Sequence, residues 1–147
     1  MYQRILVPVD GNELSDRAID ASIELAQQLG AAITGFVAEP LPPLPSGPRS
    51  RGALEDDART HEAETRAHAR EVLDRFGARA HAAGVAFDGY YDQAPRVDRA
   101  IIAAAEARGC DLIVMVTHGR GAFGEFLFGS QTKAVLAGSK LPLLVLH

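Results

Sequence analysis

Apolar residues along this chain fall into two recurring patterns, short unbroken runs and longer stretches with helical spacing. Ile5-Leu6-Val7-Pro8-Val9 is an aliphatic, β-branched run without polar alternation, which suits a strand covered on both faces. It ends at Asp10-Gly11, a turn signal. From Leu14 the spacing becomes helical, with Leu14, Ala18, Ala21, Leu25 and Leu29 on one face and Gly30 as the stop. Ala31 to Ala38, containing Ile33, Phe36 and Val37, predicts a second strand. Regular structure must then break between Glu39 and Pro48, because the five prolines at 40, 42, 43, 45 and 48 lack a backbone donor.

A long helix is predicted from about Leu54 to Ala83, with Ala69, Val72, Leu73, Phe76, Ala80 and Ala83 as its apolar stripe and a far more polar first half. Val85 to Tyr91 follows as a third strand, and Val97, Ala100, Ile101 and Ala104 mark another helix. Asp111 to Val116 is a continuous apolar strand. A last helix starts near Ser130 with Gly138 as its cap, and Pro142-Leu143-Leu144-Val145-Leu146 closes the chain as a strand at a sheet edge, where an initial proline is tolerated. Strands alternating with helices imply right-handed crossovers and a mostly parallel, doubly wound α/β sheet with helices on both faces. Such sheets bind ligands beyond the C-terminal strand ends, where the strand order reverses. The strand ends richest in polar and glycine residues follow Val9 and Val116, so the site is expected there.

Composition narrows the class further. At 147 residues the chain matches one domain of about 150 residues, so residues 1–147 are expected to form a single domain interrupted by a flexible proline-rich loop at about 40–53. With 47% hydrophobic and 23% charged residues it can pack a core, which removes collagen-like, coiled-coil and disordered readings. A net charge of −4 argues against a nucleic-acid partner, which requires clustered basic surface. The one cysteine, Cys110, allows neither an intrachain disulfide nor a cysteine zinc cage, and its placement before a buried strand suits a small apolar filler. No apolar run approaches the ~18 residues of a membrane span, and a cytoplasmic protein is the default expectation.

The chemistry concentrates in the glycine-rich segment from Val116 to Thr132, between a buried strand and a helix start. Glycine lets a backbone turn its N–H groups toward an anion, and the following helix N-terminus favours negative charge. Gly119-Arg120-Gly121-Ala122-Phe123-Gly124 fits the letters of the dinucleotide fingerprint, but no Asp or Glu follows Glu125 to hold a ribose. Gly124 to Ser130 imitates a Walker A loop with Ser130 where the phosphate-binding lysine belongs. Both readings fail on those residues.

Ile5-Leu6-Val7-Pro8-Val9-Asp10-Gly11, then Asp111-Leu112-Ile113-Val114-Met115 before Thr117-His118-Gly119-Arg120, then Gly129-Ser130 and the terminal Pro142-Leu143-Leu144-Val145-Leu146 together resemble the universal stress protein family. The resemblance spans nearly the whole chain and is weakest from about Leu41 to Arg70. It implies a Rossmann-like sheet of five parallel strands, of the adenine nucleotide alpha hydrolase-like kind, and a homodimer made through the last strand. Some members bind ATP and others do not. The ATP-binding pattern G-x2-G-x9-G-[ST] places Gly119 at its second glycine and Gly129-Ser130 at its end, while its first glycine position falls on Val116, where this sequence departs from the pattern. By the same resemblance Pro8, Val9 and Asp10 match a Pro-x-Asp segment beside the adenosine, and Val37 corresponds to a position lining the adenine pocket. Arg120 is placed to neutralise phosphate, with His118 in the same loop and Ser130, Gln131 and Thr132 at the helix start; Lys133 is a more distant candidate.

The implied cofactor is ATP, with or without Mg²⁺, and the implied role is an adenine-nucleotide-binding stress-response or signalling protein that works as a dimer with an unidentified protein partner. Two alternatives stay open: a nucleotide-independent dimeric scaffold, favoured by Val116, and a slow ATPase, for which only Asp10 and His118 offer a general base. No catalytic residue is assigned. His61, Glu64 and His68 share one face of the long helix, yet Arg59, Arg66 and Arg70 intermingle with them, so a solvated polar face is expected there rather than a metal site.

Overall fold

The strand β1 (Arg4–Pro8) lies at the centre of a five-stranded parallel sheet because its successive side chains enter two different cores. The computed structural model describes residues 1–10, 13–39, 47–48, 50–116 and 130–146, at 13–15 the backbone alone. Following β1 come α1 (Glu13–Leu29), β2 (Ala32–Glu39), α2 (Arg51–Ala82), β3 (Phe87–Gln93), α3 (Val97–Ala107), β4 (Leu112–Val116), α4 (Ser130–Gly138) and β5 (Leu143–Leu146). The strand order is β3-β2-β1-β4-β5, all pairs parallel. Ile5, Val7 and Val9 join Ile33, Val37 and Val114 against Ile19 and Ile23 of α1 and Val72 and Phe76 of α2. Leu6, Phe36, Ile113 and Met115 face the other way, onto Ile101 and Ala104 of α3 and Val135 of α4. A period of two with both faces buried produces the unbroken apolar runs of β1 and β4.

Several element limits differ from expectation. The α1 stripe is Ala18, Ile19, Ser22, Ile23 and Ala26; Leu29 is exposed, Ala21 and Leu25 are only partly buried, and the side chain of Leu14 lies outside the described residues. The two isoleucines, each beside a buried alanine or serine, set the phase. Gly30 stops this helix as expected, at φ 66°, with Ala31 N–H donating 2.9 Å to the Ala26 carbonyl in a left-handed C-cap. Gly138 has no such cap geometry: it is the last residue of α4, and a Cβ there would come 3.0 Å from Ile102 Cδ1, so its smallness lets α4 approach α3. The expected loop limit of 53 also moves, because Ser50 caps α2 by accepting from Ala53 N–H at 3.2 Å. The proline-rich segment at 40–46 lies outside the described residues. β3 starts and ends two residues later than its hydrophobicity suggested, drawn into register by Val37↔Tyr91 and Glu39↔Gln93.

Two features of α2 bear on the site. At 32 residues it is about 48 Å long, against about 26 Å for the eight residues of β2. Its buried residues begin only at Thr65. Because it returns the chain between two parallel strands, its solvated first half projects past the C-terminal strand ends, while Arg75 and Arg79 clamp its second half to Asp16 and Asp20 of α1. That second half is seated by Phe76, whose ring meets Phe87 at a centroid distance of 4.8 Å. Gly35 of β2 leaves room for the pair, since a Cβ there would come 2.7 Å from Phe87 Cζ and 2.9 Å from Phe76 Cδ1. Gly35→Ala is therefore expected to lose about 1–3 kcal/mol of stability by overpacking, read as a lower Tm in thermal unfolding.

Candidate functional site

The strand order reverses between β1 and β4, which pair through Ile5↔Leu112 and Leu6↔Ile113. From this seam β2 and β3 lie to one side and β5 to the other, the arrangement in which open α/β sheets take ligands in a crevice beyond the strand C-termini. Pro8 ends β1 opposite Phe36, and Val9 N–H donates 2.8 Å to the Phe36 carbonyl. Val9 is buried and Asp10 is exposed beyond it. Across the seam Val116, half-buried, ends β4 opposite Leu146 and packs on the core of the α1–α2 side. Since β4 and β5 are parallel, α4 begins at this same end, with Ser130 and Gln131 exposed and Thr132 buried. A helix N-terminus, whose first N–H groups have no partner within the helix and which carries the positive dipole end, therefore lies at this end of the sheet.

The structure thus brings Pro8, Val9, Asp10, Val116, Ser130, Gln131 and Thr132 to one end of the sheet. Val37 is fully buried among the core side chains of β1, α1 and α2. His118, Gly119, Arg120 and Gly129 lie outside the described residues.

Two side chains absent from the expected site adjoin it. His68 of α2 places Nε2 2.9 Å from the Asp10 carbonyl. A carbonyl only accepts, so Nε2 is the protonated nitrogen and donates. His68 is exposed, as a polar face requires, but it is tethered to the β1 end. The available signal was its position beside buried Ala69 and four residues before buried Val72, at the flank of the stripe. Tyr91 stands next to Val37 in register, and burial foremost, then Glu39, pushes its hydroxyl above the usual phenol range, with Arg66 opposing. Its hydroxyl and His61 Nε2 are buried without a hydrogen-bond partner among the described residues.

The opposite end of the sheet carries a different polar cluster. Arg4 Nη1 donates to Asp88 Oδ1 at 2.7 Å and to the Thr34 hydroxyl at 3.2 Å, and Thr34 itself donates to Asp88 at 2.8 Å. Arg108 approaches Asp88 Oδ2 at 3.4 Å and lies 4.3 Å over the Tyr90 ring. These contacts tie β1, β2, β3 and the C-cap of α3 together. Cys110 is buried beside this cluster, and burial pushes its thiol up, only partly opposed by Thr34 and Arg4. Among the described residues no group of three or more His, Cys, Asp or Glu side chains is arranged to hold a metal ion, and no helix is long and apolar enough to cross a membrane.

A family model described as the universal stress protein family matches residues 1–147. A Thermus aquaticus protein named universal stress protein in QAH/OAS sulfhydrylase 3'region is 32% identical over 149 residues, covering 100% of both chains. A universal stress protein family structure from Burkholderia pseudomallei superposes with a TM-score of 0.72 at 28% identity, covering 99% of this chain and 96% of that one. A universal stress protein solved in complex with cAMP is similar at a TM-score of 0.69 and 24% identity, over 99% and 97% of the two chains. With the whole chain matched by the family model and by a relative of equal extent, this protein belongs to the universal stress protein family.

Proposed function

We propose that this protein binds an adenine nucleotide, ATP in the first instance, across the ends of β1 and β4, and acts as a dimeric, non-enzymatic signalling component of a cytoplasmic stress response. The observation that carries the reading is that Asp10, Val116 and the N-terminus of α4 all lie at the C-terminal end of the sheet, whose strand order reverses between β1 and β4. A helix N-terminus attracts phosphate, and an exposed carboxylate accepts hydrogen bonds from a nucleoside. The family member in complex with cAMP supports an adenine nucleotide as the ligand class. Arg120 and the Gly119 and Gly129 backbone would complete the phosphate contacts, and Mg²⁺ would accompany the triphosphate. The dimer would form through β5, an edge strand whose four residues are all half-buried in the single chain. A hydrolytic role finds less support: the site offers Asp10 and His118 as the candidate bases and no metal-holding cluster among the described residues.

Val116 favours one alternative, a nucleotide-independent scaffold, because its side chain stands where the ATP-binding pattern has glycine. Titration calorimetry with ATP and Mg²⁺ separates the two, joined by mass spectrometry of any small molecule released from freshly purified, denatured protein. Binding with an affinity of about 1 mM or better, about −4 kcal/mol, is the expected result. Absence of heat at that concentration together with no released nucleotide would overturn it in favour of the scaffold.

A further inference from the structure

We propose that His68 is a positioning residue for the ligand of the β1–β4 crevice, holding the chain at Asp10 so that this residue faces the nucleoside. The inference rests on the nucleotide reading above. Among the described residues the last ladder contact of β1 toward β2 is the Val9 N–H to Phe36 carbonyl bond, and Asp10 is the next residue. What its carbonyl meets helps to set the direction in which the chain leaves the strand. It meets His68 Nε2 at 2.9 Å, from a helix 58 residues away in sequence. That helix is a firm platform at this height, because the neighbouring Thr65, Ala69 and Val72 are buried against the sheet and Thr65 Oγ1 is satisfied by the His61 carbonyl at 2.7 Å.

The imidazole is suited to the task. Its ring N–H is directional and sits on a short side chain with two rotatable bonds, so holding it costs less entropy than holding a lysine in the same place. The contact also gives α2 a direct link to the site. Occupancy at Asp10 and the seating of α2 are joined through one hydrogen bond.

Calorimetric titration of wild type, His68→Leu and His68→Gln with ATP and Mg²⁺ tests the role. His68→Leu is expected to bind about three- to tenfold more weakly, the worth of one positioning hydrogen bond. His68→Gln, whose amide N–H also reaches a carbonyl, is expected to stay within about twofold of wild type. Equal affinity of wild type and His68→Leu overturns the proposal and leaves the nucleotide reading standing, as does an equal loss in both variants, which would make side-chain shape rather than the donor responsible. No binding by wild type overturns the nucleotide reading and this role with it. Nitrogen-15 spectra of the imidazole in the ligand-free protein read the contact independently: a proton on Nε2 is expected, and a ring protonated at Nδ1 alone overturns the contact.

Discussion

Phe76→Ala is expected to cost about 3–5 kcal/mol of folding stability, the range for truncating a fully buried aromatic ring. Phe76 is fully buried, and its ring fills the space between α2, the Gly35 backbone and Phe87. Removing it deletes dispersion contacts on two strands at once and leaves a cavity that Gly35 has no side chain to fill. The second half of α2 depends on that contact more than an ordinary helix would, because its first half contributes almost nothing to the core. Urea unfolding should show a lower midpoint with an unchanged slope. Leu54→Ala, at an exposed position of the overhanging half, is the control and should stay within about 0.5 kcal/mol of wild type. A loss below about 1 kcal/mol for Phe76→Ala would mean that α2 does not seat on β2 and β3 as described.

The strands that were plain in the sequence are those buried on both faces. Ile5 to Val7 and Leu112 to Met115 need no polar alternation, and nothing local competes with their β-branched preference. β3 was harder because it is an edge strand: Asp92 and Gln93 belong to it only through pairing with β2, a long-range term that no local window contains. The phase of α1 differs from the helical spacing of its leucines for a related reason. Leucines at 25 and 29 mark a plausible stripe, yet the sheet surface accepts the shorter pair Ile19 and Ile23, with Ser22 turned inward because its hydroxyl donates 3.0 Å to the Ile19 carbonyl. A polar residue that satisfies itself locally costs little to bury.

The ends of β1 and β4 were legible as loop-bearing strand ends because chain alternation fixes which ends carry connections, and the strand order then sets the two side by side. His68 was legible only as part of a polar helical face. Its role depends on the tertiary placement of α2 beside β1, which neither helical spacing nor residue type encodes. The same holds for Asp88, whose two arginine partners come from β1 and from the end of α3. Their joining is a consequence of strand order, and strand order is invisible in a list of residues.

Asp10→Ala is expected to weaken ATP binding about 10- to 100-fold, since a hydrogen bond to a charged group contributes about 1.5–3 kcal/mol and each 1.4 kcal/mol is a factor of ten. The direction of the effect carries the orientation of the ligand. A carboxylate beside a triphosphate would repel it, so Asp10 can help only from the nucleoside end, with the phosphates nearer the N-terminus of α4 where Ser130 and Gln131 are exposed. If so, adenosine should lose affinity by the same factor as ATP, and Asp10→Asn, which keeps an acceptor of the same shape, should lose only part of it. Titration calorimetry of the three proteins with both ligands measures all of this. Tighter ATP binding in Asp10→Ala would reverse the orientation, setting the triphosphate against β1. Unchanged binding of both ligands would mean that nothing bound in the crevice touches the carboxylate, and the assignment of the β1 end to the site would fall.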